Sequence, residues 1–269
     1  MGMSQAETIQ AEFFYRKPLR VGEAKPVFGL SPATAERPDH EAFIKPVKNA
    51  RLSQHQLSES GFVLMEHDTA VLDFYNDSQV AEIYYPEMQR LAQTASGADV
   101  VFIQSHITRN EAEAALGKRL GAHRLVHNDF TPNFKSTIEP LLATAEKQPQ
   151  RVAVYNLWRR FDADGLDAPF AVCDSRSVSE TELIPTDLYN YGDSEGFAVE
   201  IYQSAHSNQH EWYFYPKMAV NEVLMFKTYD SAEVPFLPTL HSAFDDPAYP
   251  SGTTSARESV EARAICLFY

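Results

Sequence analysis

Apolar and polar positions change rhythm near residue 100. Over residues 1–50, short apolar pieces such as Glu12-Phe13-Phe14-Tyr15 are separated by Pro18, Pro26, Pro32, Pro38 and Pro46. Proline fixes φ and removes a backbone donor, so this stretch predicts an arm wrapped over the body, adding at most an edge strand. Residues 52–57 read as a short amphipathic turn, Gly61 as its cap, and Phe62-Val63-Leu64-Met65 as a buried strand. From Asp73 onward, Val80, Ile83, Tyr84, Met88 and Leu91 recur at three- and four-residue spacing. That spacing is helical, with a local break expected at Pro86. Residues 100–106 predict a strand, 111–120 a polar helical piece, and 137–146 a short helix ended by Pro149.

Beyond that helix the pattern is strand-rich. Residues 152–159 alternate, with Val152, Val154, Asn156 and Trp158 on one face. Runs at 170–173, 197–202, 212–215, 223–226 and 259–268 come next, separated by turn chemistry such as Asp162-Ala-Asp-Gly and Gly192-Asp-Ser-Glu-Gly196. Counting about eight strands after residue 100, with helices concentrated before them, gives an α+β fold. It is a β-sandwich or barrel core over 100–269 with N-terminal helices packed outside, all in one domain spanning 1–269. Trp158, Phe197, Ile201 and Phe226 are expected in its core.

Composition adds exclusions. The 269 residues carry a net charge of −14, which argues against a nucleic-acid partner because a phosphate backbone needs a cationic surface. Cys173 and Cys266 each sit beside apolar residues and read as buried free thiols. No segment is apolar enough for a membrane span, and the N-terminus lacks a secretory h-region. Ala6 stands where a myristoylation signal wants Ser or Thr, and Cys266-Leu-Phe-Tyr269 reads better as a core strand than as a prenylation box. The expectation is a cytoplasmic protein with no membrane partner.

The candidate chemistry starts at Leu125-Val126-His127-Asn128-Asp129-Phe130-Thr131-Pro132. On a strand, His127 and Asp129 project to one side and supply two parts of a 2-His-1-carboxylate ferrous site. The third ligand comes from His206, His210 or His241. His206 and His210 would pair on a helix, but their surroundings read as strand and turn, which favours His241. Sixteen residues after His241 come Arg257 and Ser259, a guanidinium and a hydroxyl on one face. That pair suits a carboxylate. H-x-D, a distant His and R-x-S is the order of an iron oxygenase that consumes 2-oxoglutarate. Arg263 lies on the same face and is the rival anchor, and Asn156 with Trp158 faces the pocket or the core.

Longer runs then resemble a known family. Val126-His-Asn-Asp-Phe-Thr131, Asn156-Leu-Trp-Arg159, Val172-Cys-Asp-Ser-Arg176, His210-Glu-Trp-Tyr213, Phe226-Lys-Thr-Tyr-Asp-Ser231, His241-Ser-Ala-Phe-Asp-Asp-Pro247 and Arg257-Glu-Ser-Val-Glu-Ala-Arg263 are similar to the microbial natural-product Fe(II)/2-oxoglutarate-dependent oxygenases. That family includes the cephalosporin 7-methoxylation protein and the novofumigatonin endoperoxygenase. The resemblance is dense over 100–269 and looser before it. It departs from the family pattern at Ser242, where Thr is usual, and at Asn221, where an acidic residue is usual. It implies a double-stranded β-helix (jelly-roll, cupin-like) core. It also implies His127, Asp129 and His241 as iron ligands, Arg257 as 2-oxoglutarate anchor, and dioxygen with a hydrophobic small molecule as partners. The reaction it implies is hydroxylation, desaturation or endoperoxide formation on a polycyclic secondary metabolite such as a fungal meroterpenoid. Homo-oligomerisation stays open. Two other readings compete: a non-catalytic accessory subunit of the same fold, and a zinc hydrolase or lyase using the same His/Asp/His set. The R-x-S pair counts against the second. Asp245 and Asp246 read as a solvated turn or as an alternative partner for Arg257.

Overall fold

Strands from both halves of the chain build two β-sheets laid face to face. The computed structural model describes residues 7–29, 37–142, 147–162, 166–189, 199–250 and 253–269. In chain order the strands are β1 (Thr8–Arg16), β2 (Val27–Gly29), β3 (His40–Asn49), β4 (Phe62–Glu66), β5 (Val100–Asn110), β6 (His127–Asn128) and β7 (Arg151–Arg160). They continue with β8 (Phe170–Cys173), β9 (Leu183–Tyr189), β10 (Val199–Ser204), β11 (Trp212–Phe214), β12 (Glu222–Asp230), β13 (His241–Ala243) and β14 (Glu258–Phe268). One sheet runs β1-β3-β11-β8-β13-β6-β10-β9-β2 and the other β4-β12-β7-β14-β5. Val172 and Phe170 of the first meet Trp158, Leu224 and Phe226 of the second in a shared core.

The alternation of β14 places the site. Val260, Ala262, Ala264 and Cys266 face outward and pack under a helix, against Val80, Tyr84, Met88 and Ala92. Ser259, Glu261 and Arg263 are the intervening positions, buried between the sheets, where Glu261 and Arg263 line a cavity. Ile265 and Leu267 continue that face into apolar packing with Val152 and Val154. The fold class, a β core with N-terminal helices outside, agrees with the sequence reading.

Several local expectations are revised. The helix comprises α1 (Asp77–Gln79), a π-turn over Val80–Tyr84 and α2 (Tyr85–Ser96) without a break. Pro86 directly follows the π-turn, a local irregularity of the kind that accommodates a residue without a backbone N–H inside a continuous helix. The polar piece after β5 is only α3 (Glu111–Ala114), and α4 (Phe134–Leu142) starts earlier than expected. The N-terminal stretch contributes two long strands rather than a proline-broken arm. β1 and β3 pair from Thr8 opposite Lys48 to Arg16 opposite His40. Pro46 is tolerated within β3 because β11 begins pairing only at Val47, so the ladder on that side needs no N–H from it. Phe13 of β1 stacks on Trp212 at 4.4 Å, and the Trp212 indole donates to Tyr15 Oη at 2.8 Å. Residues 52–57 are not helical beyond the short 3-10 turn Ala50–Leu52. Trp158, Ile201 and Phe226 are buried, and Phe197 lies outside the described residues.

Candidate active site

The centre forms where β6 meets β13, with His127 opposite His241 across an antiparallel pair. Past β6 the chain turns at Asp129. Asn128, fully buried, holds the turn by donating to Phe130 O at 2.7 Å and to Thr228 O on the facing sheet at 2.9 Å. Each histidine has its Nδ1 against a backbone carbonyl, Leu125 O at 2.7 Å for His127 and Thr239 O at 3.1 Å for His241. A carbonyl only accepts, so both Nδ1 atoms carry the proton and both Nε2 lone pairs are free. These two Nε2 atoms lie 3.6 and 3.7 Å from one oxygen, Asp129 Oδ1. The ligand-type atoms of His127, Asp129 and His241 all fall within 4.8 Å of one another.

The other Asp129 oxygen is occupied. Oδ2 accepts from Asn156 Nδ2 at 2.9 Å and from Arg263 Nε at 2.8 Å, both reaching across from the facing sheet. Burial alone would raise the Asp129 carboxyl, but Arg263 and the two histidines hold it well below its ordinary value. Burial, with His241 beside it, pushes His127 down to about 3. At neutral pH Asp129 is therefore a carboxylate and His127 a neutral imidazole, the protonation states that metal ligation requires. Phe170 and Phe226 flank His241, with ring centroids at 5.7 and 4.8 Å.

The cavity in front of this centre has a volume of ≈ 250 Å³ and reaches Arg257 at its other end. Arg257 is 1% exposed. Its Nη1 donates to Ala168 O at 2.8 Å and its guanidinium lies over Trp158 at 5.4 Å. Its Nε and the Ser259 hydroxyl, both buried, have no hydrogen-bond partner among the described residues. Burial pushes Arg257 down to about 9; Glu111 opposes that shift, while Arg160, Arg109 and Arg124 add to it. Buried donors left unsatisfied beside a cavity cost free energy until a ligand supplies the acceptor. A carboxylate fits both groups.

The structure thus brings His127, Asp129, His241, Asn156, Arg257, Ser259 and Arg263 to one cavity or its immediate wall, with two roles redistributed. Arg263, the rival anchor, and Asn156, expected at the pocket or in the core, both hydrogen-bond the Asp129 carboxylate. The rival histidines lie elsewhere: His210 bonds Tyr15 Oη and Glu182, and His206 stacks on Phe43 at 3.8 Å. Asp245 pairs with Arg124 rather than Arg257, and Asp246 bonds the Ala248 amide. Five polar or charged cavity residues escaped the sequence reading: Gln104, Ser105, Arg109, His123 and Glu261. Glu261 was accessible from period-2 alternation between Ser259 and Arg263. The His123 ring contacts His127 at 4.4 Å and Phe28 at 5.8 Å, and its backbone carbonyl accepts from the Ala243 amide at 2.8 Å.

Comparison with known proteins identifies the relatives of this site. The family model described as YDMC, oxidoreductase/YMDC permease-like domain, matches residues 14–267. The alpha-ketoglutarate-dependent dioxygenase phiK of a fungal species is 29% identical over 238 residues, 84% of each chain. The Fe(II)/2-oxoglutarate-dependent dioxygenase nvfI of Aspergillus novofumigatus is 25% identical over 268 residues, covering 94% of this chain and 90% of that one. A solved structure of the iron and alpha-ketoglutarate-dependent endoperoxidase NvfI superposes with a TM-score of 0.84 at 22% identity, covering 98% of this chain and 99% of that one. It shows the shared double-stranded β-helix fold. The resemblance read from the motif runs is borne out, and so is the oxygenase class. The chain belongs to the oxidoreductase/YMDC permease-like family and is similar to fungal Fe(II)/2-oxoglutarate-dependent dioxygenases.

Proposed function

We propose that His127, Asp129 and His241 hold ferrous iron, and that Arg257 with Ser259 holds the far carboxylate of 2-oxoglutarate. The remaining cavity then takes an electroneutral, mainly apolar carbon skeleton, a polycyclic secondary metabolite of the meroterpenoid kind. The observation that carries this reading is the division of labour on Asp129. One oxygen is pinned by Asn156 and Arg263, and the other faces two imidazole Nε2 atoms. Support for the substrate class comes from the wall made by Phe28, Phe130, Leu188, Val199 and Ile201. It comes also from the relatives named hydroxylase/desaturase, efuI of Hormonema carpetanum and CTB9 of Cercospora beticola.

Bound iron, 2-oxoglutarate and dioxygen together supply the oxidising power needed to remove hydrogen from an unactivated carbon. The residues of the chain do the rest. The carbonyls of Leu125 and Thr239 fix the imidazole tautomers, so no proton has to leave Nε2 before a metal binds. Trp158, stacked on Phe170 at 4.8 Å, and Phe130 keep the cavity dry, which strengthens every charged contact inside it. The apolar wall holds the substrate carbon near the metal centre, and proximity sets which bond reacts. Hydroxylation, desaturation and endoperoxide formation diverge only after hydrogen removal, so the same residues serve all three.

Anaerobic addition of Fe(II) and 2-oxoglutarate should produce the visible metal-to-ligand charge-transfer band, and air should then convert 2-oxoglutarate to succinate. His241→Ala should lose the band, whereas His210→Ala should keep it. The opposite pattern would show that the distal ligand is misassigned.

A further inference from the structure

Arg109 of β5 lines the same cavity. It stands directly across from Ser259, as Cα partners of the β5–β14 ladder. One donor, Nη1, reaches Gly121 O at 2.8 Å, and among the described residues no carboxylate pairs with its guanidinium. Three neighbouring cations are neutralised. Arg160 pairs with Asp162, Arg124 with Glu111 and Asp245, and Arg263 with Asp129 and Glu261. Asp129 and Glu261 are the carboxylates that line the cavity, and Arg263 engages both. Among the described residues, two guanidiniums therefore face the cavity without an anion, Arg257 and Arg109, in a chain whose net charge is −14. Carboxylates are abundant in this protein, yet among the described residues none forms an ion pair with either of these two guanidiniums. Positive charge withdrawn from water without a counter-ion is destabilising, and a site that carries it is complementary to an anionic ligand.

Resting on the iron and 2-oxoglutarate assignment, we propose that Arg109 is a second cationic contact for the bound dicarboxylate. Arg257, just before β14, and Arg109, on the adjacent strand β5, then both contact the cosubstrate from the same sheet. The chemistry recognised is a carboxylate, and the register opposite Ser259 assigns it to the cosubstrate rather than to the carbon skeleton being oxidised.

The test is an anaerobic titration of the iron-loaded full-length protein with 2-oxoglutarate, monitored by the charge-transfer band, with iron affinity measured separately. Arg109→Gln should weaken 2-oxoglutarate binding about 10- to 100-fold, as loss of a charge-assisted hydrogen bond does, without weakening iron binding. Arg109→Lys should fold as the wild type does and recover part of the affinity, because it keeps the charge but not the planar fork. If both variants bind 2-oxoglutarate as tightly as the wild type while Arg257→Gln does not, Arg109 is not a cosubstrate contact and the proposal is overturned. If the wild type itself gives no band, the iron and 2-oxoglutarate assignment fails as well.

Discussion

Two arginines on the β14 side of the cavity should fail in different ways when removed. Arg257 is almost fully buried, and its contacts are Ala168 O and the Trp158 face. It touches neither His127, Asp129 nor His241. Arg257→Ala should leave iron binding intact and weaken 2-oxoglutarate. Losing one partner of a buried charged contact costs about 2–5 kcal/mol, roughly 30- to several-thousand-fold in affinity. Lys at 257 should restore only part of this, since a point charge cannot present two parallel donors. Ser259→Ala removes a single hydroxyl and should cost about 1 kcal/mol. Arg263→Ala should do the reverse. It strips Asp129 Oδ2 of its charged partner and leaves only Asn156, so iron affinity should fall about 10- to 100-fold. Separate titrations of iron and 2-oxoglutarate, both anaerobic, distinguish the two. If Arg263→Ala abolishes 2-oxoglutarate binding with iron retained and Arg257→Ala changes nothing, the anchor is misassigned. If neither substitution affects 2-oxoglutarate, the cosubstrate reading is wrong.

Gly61 has φ of +86°, and a Cβ there would run into Thr239 Oγ1, with Ser175 Oγ only 3.2 Å away. Gly61→Ala should destabilise by about 1–3 kcal/mol and also loosen iron, because Thr239 O orients His241; an unchanged urea midpoint would contradict this. Stability should also fall in mild acid. Burial holds His210 and His40 down to about 4 in the fold, against about 6.5 in an unfolded chain. Between those values the unfolded chain binds more protons, so their contribution is complete above about 6.5 and is lost as pH falls towards 4. Urea midpoints at pH 8 and pH 5 should show the drop, and His210→Asn should flatten part of it; equal midpoints in the wild type would refute the assignment.

Much of the site could be read without coordinates because its parts are local or periodic. H-x-D is a two-residue spacing, and Arg257, Ser259 and Arg263 share one face of a single strand. The β body was legible for the same reason, since alternation in β7 and β14 is strong. Pairing was not legible. Nothing in the sequence says that Arg109 stands opposite Ser259, because register depends on two strands far apart in the chain. Nor could it say that Arg263 would be taken up by Asp129, which approaches from the other sheet. The short strands β2 and β13, and β9 with Pro185 inside it, carry too little pattern to be seen alone. The β1–β3 pair was hidden by its prolines, which sit between the strands or, at Pro46, where no second neighbour needs the donor.

The two sheets divide the centre between them. His127, Asp129 and His241 belong to one sheet and the turn beside it, whereas Arg257, Ser259, Arg263 and Asn156 belong to the other or its entry. The distance from metal site to anchor therefore depends on how far apart the sheets are held, about 10 Å between backbones in packed β-structures. The layers act as a gauge whose setting is fixed by Trp158, Phe170, Val172 and Phe226, residues that hold them apart. A core substitution that thins or thickens this packing would change the reach demanded of the cosubstrate without touching any group that binds it. Meanwhile the apolar wall of β2, β9 and β10 lies towards one edge of its sheet, outside the gauge. That wall can be recut for a new carbon skeleton while the spacing that governs the oxidation stays the same.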